Sequence, residues 1–203
     1  MTIEKGADWG RAVARPDGLR IADSDAELAS LLSDGSGRPT AASSGDLFKT
    51  MGSRQVGDRT ELMAFPVDLL EVAIDGAAPV MAVAHVVAQL PARRGGPWRG
   101  PIFAVMNAEF IGEYDVAPRG HPNDGRVETF RVADDMSIRQ RWELRRRLRS
   151  ARHLPHPQIA TRSVRTATID FDRPMRVAID GVAVGSGRSI TVRVHPDAAL
   201  VHS

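Results

Sequence analysis

Hydrophobic positions along the 203-residue chain change rhythm twice. Up to residue 60 they fall in short clusters. Gly18–Ala22 reads as a brief strand, and Leu28, Leu31 and Leu32 lie on one face of a helix that Ser24 or Asp25 caps and Asp34-Gly35 ends. Gly35–Pro39 is a turn-rich link, and Gly45–Met51 reads as a second short helix capped by Ser43 or Ser44. From Leu62 the rhythm becomes that of strands. Met63–Ile74 and Val80–Leu90 flank Asp75-Gly76, a hairpin signal because both residues tolerate left-handed backbone. Pro91–Gly100 is a loop, and Pro101–Ala108 and Val127–Val132 are further strands.

Helical spacing returns once, from a cap at Ser137 to about Ser150, with Pro155 and Pro157 marking the exit. On that helix Ile138, Trp142, Leu144 and Leu148 gather on one side. The spacing predicts that Ile138 and Leu148 are buried, that Trp142 is at least partly covered, and that the arginines stay outside. Ile159–Val164, Thr166–Phe171, Met175–Ile179, Ile190–Val194 and Leu200–His202 follow as short strands, with Gly185-Ser186-Gly187 as a turn. Many short strands and one long helix predict an α+β protein: mainly an antiparallel β-sandwich with one packed helix, plus a short helical N-terminal piece. A boundary near residue 60 divides the chain into 1–60 and 61–203.

Composition narrows the class. Hydrophobic residues make up 42% and charged residues 26%, as in ordinary globular proteins. No cysteine is present, which excludes disulfides and thiolate metal sites and fits a reducing cytoplasm. The stretch MTIEKGADWGRAV has no apolar core, so no signal peptide is expected. The longest apolar run, Ala77–Leu90, is broken by His85 and is shorter than the roughly 20 residues of a spanning helix. A soluble cytoplasmic protein is expected, with peripheral contact to a membrane as its only approach to lipid.

Net charge is only +2, but it is unevenly spread. Arg139, Arg141, Arg145, Arg146, Arg147, Arg149 and Arg152 share one segment with a single acid, Glu143. Two readings stand: a solvated basic face, or a contact to anionic lipid through Arg145, Arg146 and Arg149. Nucleic acid is not expected, since neither overall basicity nor stacking aromatics accompany the arginines. His121, His153, His156 and His195 neighbour prolines or arginines and form no zinc-ligand spacing.

Three segments carry chemistry: SSGDLFKTMG at Ser43–Gly52, VMNAEFIGEYDVAPRGHPNDGRV at Val105–Val127, and VAIDGVAV at Val177–Val184. Together they resemble the diacylglycerol kinase family, including the YegS-type bacterial lipid kinases. The likeness to that family's C-terminal half runs from about Met63 to the C-terminus. The resemblance implies a β-sandwich and assigns Asp180 as the general base on a lipid hydroxyl. It implies ligand contacts at Gly45, Asp46, Lys49, Asn107 and Gly181, and a structural Mg²⁺ held by Asp124 with backbone carbonyls.

The chain departs from the family pattern at four places. It has no GGDGT phosphate-binding loop, Ser43-Ser44 stands for Gly-Thr, Asn123 for the first acid of a DDG turn, and Val182 for the acid that supports the base. ATP is therefore not an expected cofactor, because phosphoryl transfer rests on positioning and neutralising phosphates. The expectation is a truncated, catalytically inactive family protein that binds a lipid or phosphorylated ligand or regulates a partner, either a full-length kinase or another copy of itself. Two alternatives stay open: a working lipid kinase, and a basic accessory scaffold. Asp46 and Asp180 are expected on opposite walls of one groove, either well apart or bridged by a basic side chain, with Lys49 the nearest in sequence.

Overall fold

The computed structural model of the chain describes residues 9–203, so most of the polar N-terminal stretch lies outside it. In chain order the first elements are strand β1 (Arg11–Ala14), β2 (Arg20–Ala22), helix α1 (Asp25–Ser33), β3 (Thr40–Ala42) and α2 (Asp46–Thr50). β4 (Glu61–Ile74), β5 (Val80–Ala82), β6 (His85–Gln89), β7 (Ile102–Met106), β8 (Phe110–Ile111), β9 (Tyr114–Asp115) and β10 (Val127–Val132) follow. α3 (Ile138–Leu148), β11 (Ile159–Val164), β12 (Thr166–Ile179) and β13 (Val182–His202) complete the chain.

The protein is mainly antiparallel β-sheet with few short helices. Eleven strands bond in the order β1-β4-β13-β12-β6-β7-β10-β11, with β5 on β4 and β2-β3 on β13; β8 and β9 form a separate pair. All strands but β8 and β9 thus join one hydrogen-bonded sheet. Only β2-β3 and β3-β13 run parallel, because α1 crosses between β2 and β3. β1 and β3 join the N-terminal segment to the same sheet and carry no legible signal, being four and three residues long.

Alternation along the strands sorts side chains into apolar clusters, three of them large. Phe65, Val67 and Leu69 of β4 face α1 and α2, packing on Leu28, Leu47 and Phe48. Leu70 and Val72 join Val86, Val105, Val177 and Ile190 in a central core. Ala104, Met106, Phe130 and Val132 face Leu144 and Leu148 of α3. Each such large side chain, once buried, contributes about 1.5–3 kcal/mol.

Three sequence expectations need correction. Val80–Leu90 is not one strand: it breaks at Val83-Ala84, whose amides turn to the side chain of Asp180 instead of the ladder. Gly185-Ser186-Gly187 is not a turn but lies within β13, where a side chain on Gly187 would collide with Ile74. α3 is rotated from its expected facing. Its cap at Ser137 is as read and is completed to a capping box, with Ser137 accepting from Gln140 N–H and Gln140 accepting from Ser137 N–H. Yet Ile138 is 54% exposed and Trp142 55%, while Arg141, Leu144 and Leu148 are buried. Arg141 can take an inward position because its guanidinium donates to the carbonyls of Pro97, Gly100, Ala133 and Met136.

Candidate functional site

Asp180 and Gly181 make the two-residue turn between β12 and β13, with Ile179 paired to Val182. Their φ angles are +48° and +80°, the left-handed backbone that Asp tolerates and Gly favours. This turn aims the Asp180 carboxylate inward, where it is 7% exposed. It accepts hydrogen bonds from the N–H groups of Val83 (2.9 Å), Ala84 (2.9 Å) and His85 (3.0 Å), and its own N–H donates to the His85 carbonyl. The strand break between β5 and β6 is therefore filled by one side chain from a hairpin almost 100 residues away. Burial pushes this carboxyl above its ordinary range, and the three amides pull it part of the way back.

His85 extends the cluster. Its ring is 3% exposed, and Nε2 lies 2.9 Å from Oδ2 of Asp46 at the start of α2. Burial opposes charge on the ring, but the Asp46 hydrogen bond and the fields of Asp180, Asp46 and Asp25 outweigh it, and the imidazole pKa is raised. Oδ1 of Asp46 accepts from Gly112 N–H at 2.8 Å.

Asp25, in the first turn of α1, reaches across to α2 and accepts from the N–H groups of Asp46 (2.6 Å) and Leu47 (3.1 Å). α2 is thus capped by a carboxylate from another helix, not by Ser43 or Ser44. Gly45 makes this contact feasible, because any Cβ there would collide with the Asp25 carboxylate. Burial pushes the Asp25 carboxyl up to about 6, against the two amides and with help from Asp180 and Asp46. Ligand atoms of Asp25, Asp46 and His85 lie within 4.8 Å of one another, so the cluster could hold a metal ion.

Of the residues singled out in sequence, Gly45, Asp46, Asp180 and Gly181 come together here. Asp46 and Asp180 are linked through His85 and not Lys49: the His85 ring bonds Asp46 and its backbone amide bonds Asp180. Lys49 Nζ donates instead to the Gly112 carbonyl at 2.6 Å and stands over the Phe110 ring. Asn107 is buried and donates to the carbonyls of Asp68 and Val83, fixing the segment whose amides hold Asp180.

Asp124 belongs to a second centre built around Asp68, a fully buried residue of β4. Asp68 accepts from the N–H groups of Gly125 (2.7 Å) and Asp197 (2.8 Å). Asn123 donates to Asp197, and Asp124 accepts from Arg126 N–H within its own turn. Burial pushes Asp68 up to about 6; its two amides oppose this, and Asp124 and Asp197 add to it. A Mg²⁺ here would find the Asp124 carboxylate. Asp25, Asp68 and His85 were missed in the sequence. The signal for the last two was a charged or polar residue inside an otherwise apolar strand.

On α3, the arginines are more engaged than a bare basic face. Arg145 lies 4.5 Å from the Trp98 ring centroid and 5.8 Å from that of Tyr114. Arg146 pairs with Glu143 at 3.5 Å, and Arg149 pairs with Glu113 at 2.8 Å. Beneath the helix, a cavity of about 180 Å³ is lined by Val87, Ile102, Phe130, Leu144, Leu148 and Arg145, among others. Among the described residues no helix is long and apolar enough to cross a membrane.

No family model matches the sequence, and no curated protein does. Solved structures do match. Two structures from Bacillus anthracis strain Sterne, provisionally described as diacylglycerol kinases, superpose with TM-scores of 0.63 and 0.64 at 12% and 13% identity. Each match covers 90% of this chain and 77% of the other. A further structure from that strain, described as a diacylglycerol kinase, gives 0.55 at 13% identity over 81% of this chain and 66% of its own. The chain thus shares the fold of diacylglycerol kinase-family structures over most of its length, at low identity.

Proposed function

We propose that this chain binds an acidic lipid on a diacylglycerol kinase fold and does not itself transfer phosphate. The observation that carries the binding half is the apolar cavity under α3 with Arg145 in its wall. Apolar lining takes an acyl chain, and a guanidinium at the rim takes an anionic headgroup. Arg146 and Arg149 lie on the same helix and are exposed, held only by surface ion pairs that contribute little. They stay available to a negatively charged surface.

The inactive half is supported by Asp180. A general base must direct a free lone pair at the hydroxyl proton it removes. Here the carboxylate is buried, three amides occupy three of its four lone-pair sites and hold it toward the β5–β6 break, and Val182 offers no second acid. In this arrangement Asp180 is a clasp that closes the β5–β6 break.

Co-sedimentation with phosphatidic acid vesicles tests the binding. The wild type should bind, and binding should fall steeply with salt, at about 1 kcal/mol per surface arginine in a screened field. An Arg145→Glu, Arg146→Glu, Arg149→Glu variant should lose it, while phosphatidylcholine vesicles should bind neither protein. Equal binding by wild type and triple variant would remove α3 from the function.

A further inference from the structure

The lipid reading leaves unused three side chains that converge where the N-terminal helices meet the sheet. Asp25 comes from α1, Asp46 from α2 and His85 from β6, and one ligand atom of each lies within 4.8 Å of the others. Asp25 and His85 are buried and Asp46 is half-buried, so access is from the Asp46 side.

Independent observations point to a cation. Asp180 accepts from the His85 backbone N–H, so three carboxylates act on one imidazole: Asp46 through a hydrogen bond, Asp180 and Asp25 through their charge. Among the described residues, no lysine or arginine is hydrogen-bonded to Asp25, Asp46 or Asp180. A buried excess of negative charge is costly until a positive charge neutralises it. The ring of His85 makes a single hydrogen bond, and that bond faces the cluster; its buried Nδ1 has no partner. Gly45 is a further sign, since a side chain there would close the space the Asp25 carboxylate occupies.

We propose that Asp25, Asp46 and His85 bind a divalent transition-metal cation, with Zn²⁺ the best-fitting probe and solvent completing its shell. An imidazole among the ligands disfavours Mg²⁺ and Ca²⁺, which take oxygen, and suits Zn²⁺. Bonds of about 2.0–2.2 Å to nitrogen and oxygen give tetrahedral edges of about 3.4 Å. The His85–Asp46 contact of 2.9 Å then needs to open by only about half an ångström. Each Asp25 oxygen accepts one amide and keeps one lone pair free. Neutral imidazole and two carboxylates balance the +2 charge, so the metal replaces any proton on His85 and its uptake releases that proton. Bound there, the ion would tie α1 and α2 to β6.

Isothermal titration of the chelator-stripped full chain with ZnCl₂ and, separately, MgCl₂ is the test. One Zn²⁺ per chain is expected, with no response to Mg²⁺ at equal concentration. His85→Gln and Asp25→Asn should each weaken Zn²⁺ by about tenfold or more. Should either variant fold poorly, long-range ¹⁵N spectra of the wild-type histidines decide, since only His85 Nε2 should shift with Zn²⁺. Absence of saturable Zn²⁺ binding would overturn the proposal. So would equal affinity in a folded His85→Gln variant, or shifts confined to another histidine such as His195, beside Glu71.

Discussion

Two buried carboxylates, Asp180 and Asp68, occupy this fold in different ways. Asp68 is surrounded by backbone: amides of Gly125 and Asp197 take its oxygens, and its neighbours are the turn residues Asn123 and Asp124. Asp180 also serves amides, but one of them belongs to His85, whose ring passes the network to Asp46 and, through the α2 amides, to Asp25. The hydrogen bonds of the Asp68 side chain end in peptide groups, with Asp124 and Asp197 acting on it through their charge, whereas those of the other centre continue through His85 into titratable side chains with access from outside. Side chains that can exchange a proton or a ligand mark a place for chemistry, whereas amides alone mark a joint. Asn107 links the two by bonding the carbonyls of Asp68 and Val83.

The largest effect should come from emptying the clasp at Asp180. Asp180→Ala leaves three amides buried without an acceptor, at about 1–3 kcal/mol each. A loss of about 4 kcal/mol or more is expected in denaturant unfolding, against a smaller loss for Asp68→Ala, which frees two. Equal losses would erase the distinction between the centres.

Next in size is a pH effect that isolates Asp68. Its folded pKa of about 6 lies above the unfolded value of 3.8, so folding is penalised once the unfolded chain ionises. The penalty is absent below 3.8, grows between 3.8 and about 6, and is complete above that. It amounts to about 3 kcal/mol at most. Asp68→Asn cannot ionise, so its stability should fall less than the wild type's between pH 4 and pH 6.5. Parallel pH profiles of unfolding free energy for the two proteins would contradict this.

Gly45→Ala should disturb only the His85 side. The added methyl displaces the Asp25 carboxylate and strains a backbone at φ +108°, for about 2 kcal/mol. Amide shifts should move at Asp46 and Leu47 and stay fixed at Gly125 and Asp197. The smallest effect belongs to Lys49→Ala, within about 0.5 kcal/mol in thermal unfolding, because its exposed amine touches one exposed carbonyl and the face of one ring. A larger loss would restore Lys49 to the bridge that His85 now fills.

Much of this was legible in the sequence where information is local. The Asp180-Gly181 turn, the Ser137 capping box and the strand β10 follow from residues within a few positions of one another. The facing of α3 was not, because the four carbonyls that let Arg141 turn inward come from Pro97, Gly100, Ala133 and Met136. The joined network was illegible for the same reason. Asp25 meets Asp46 across 21 residues, Asp46 meets His85 across 39, and His85 meets Asp180 across 95. Only the interruption of an apolar run, at His85 and at Asp68, hinted that a polar group had a partner elsewhere.

Phosphoryl transfer is the most direct test of the account. Purified chain would be incubated with labelled ATP, Mg²⁺ and mixed diacylglycerols, and the lipid extract examined for labelled phosphatidic acid. The account predicts no product above a heat-inactivated control, because the Asp180 carboxylate is committed to Val83, Ala84 and His85. Phosphatidic acid formed by the folded chain, and lost in Asp46→Asn, would show that the clasp opens and that this fold still works as a kinase.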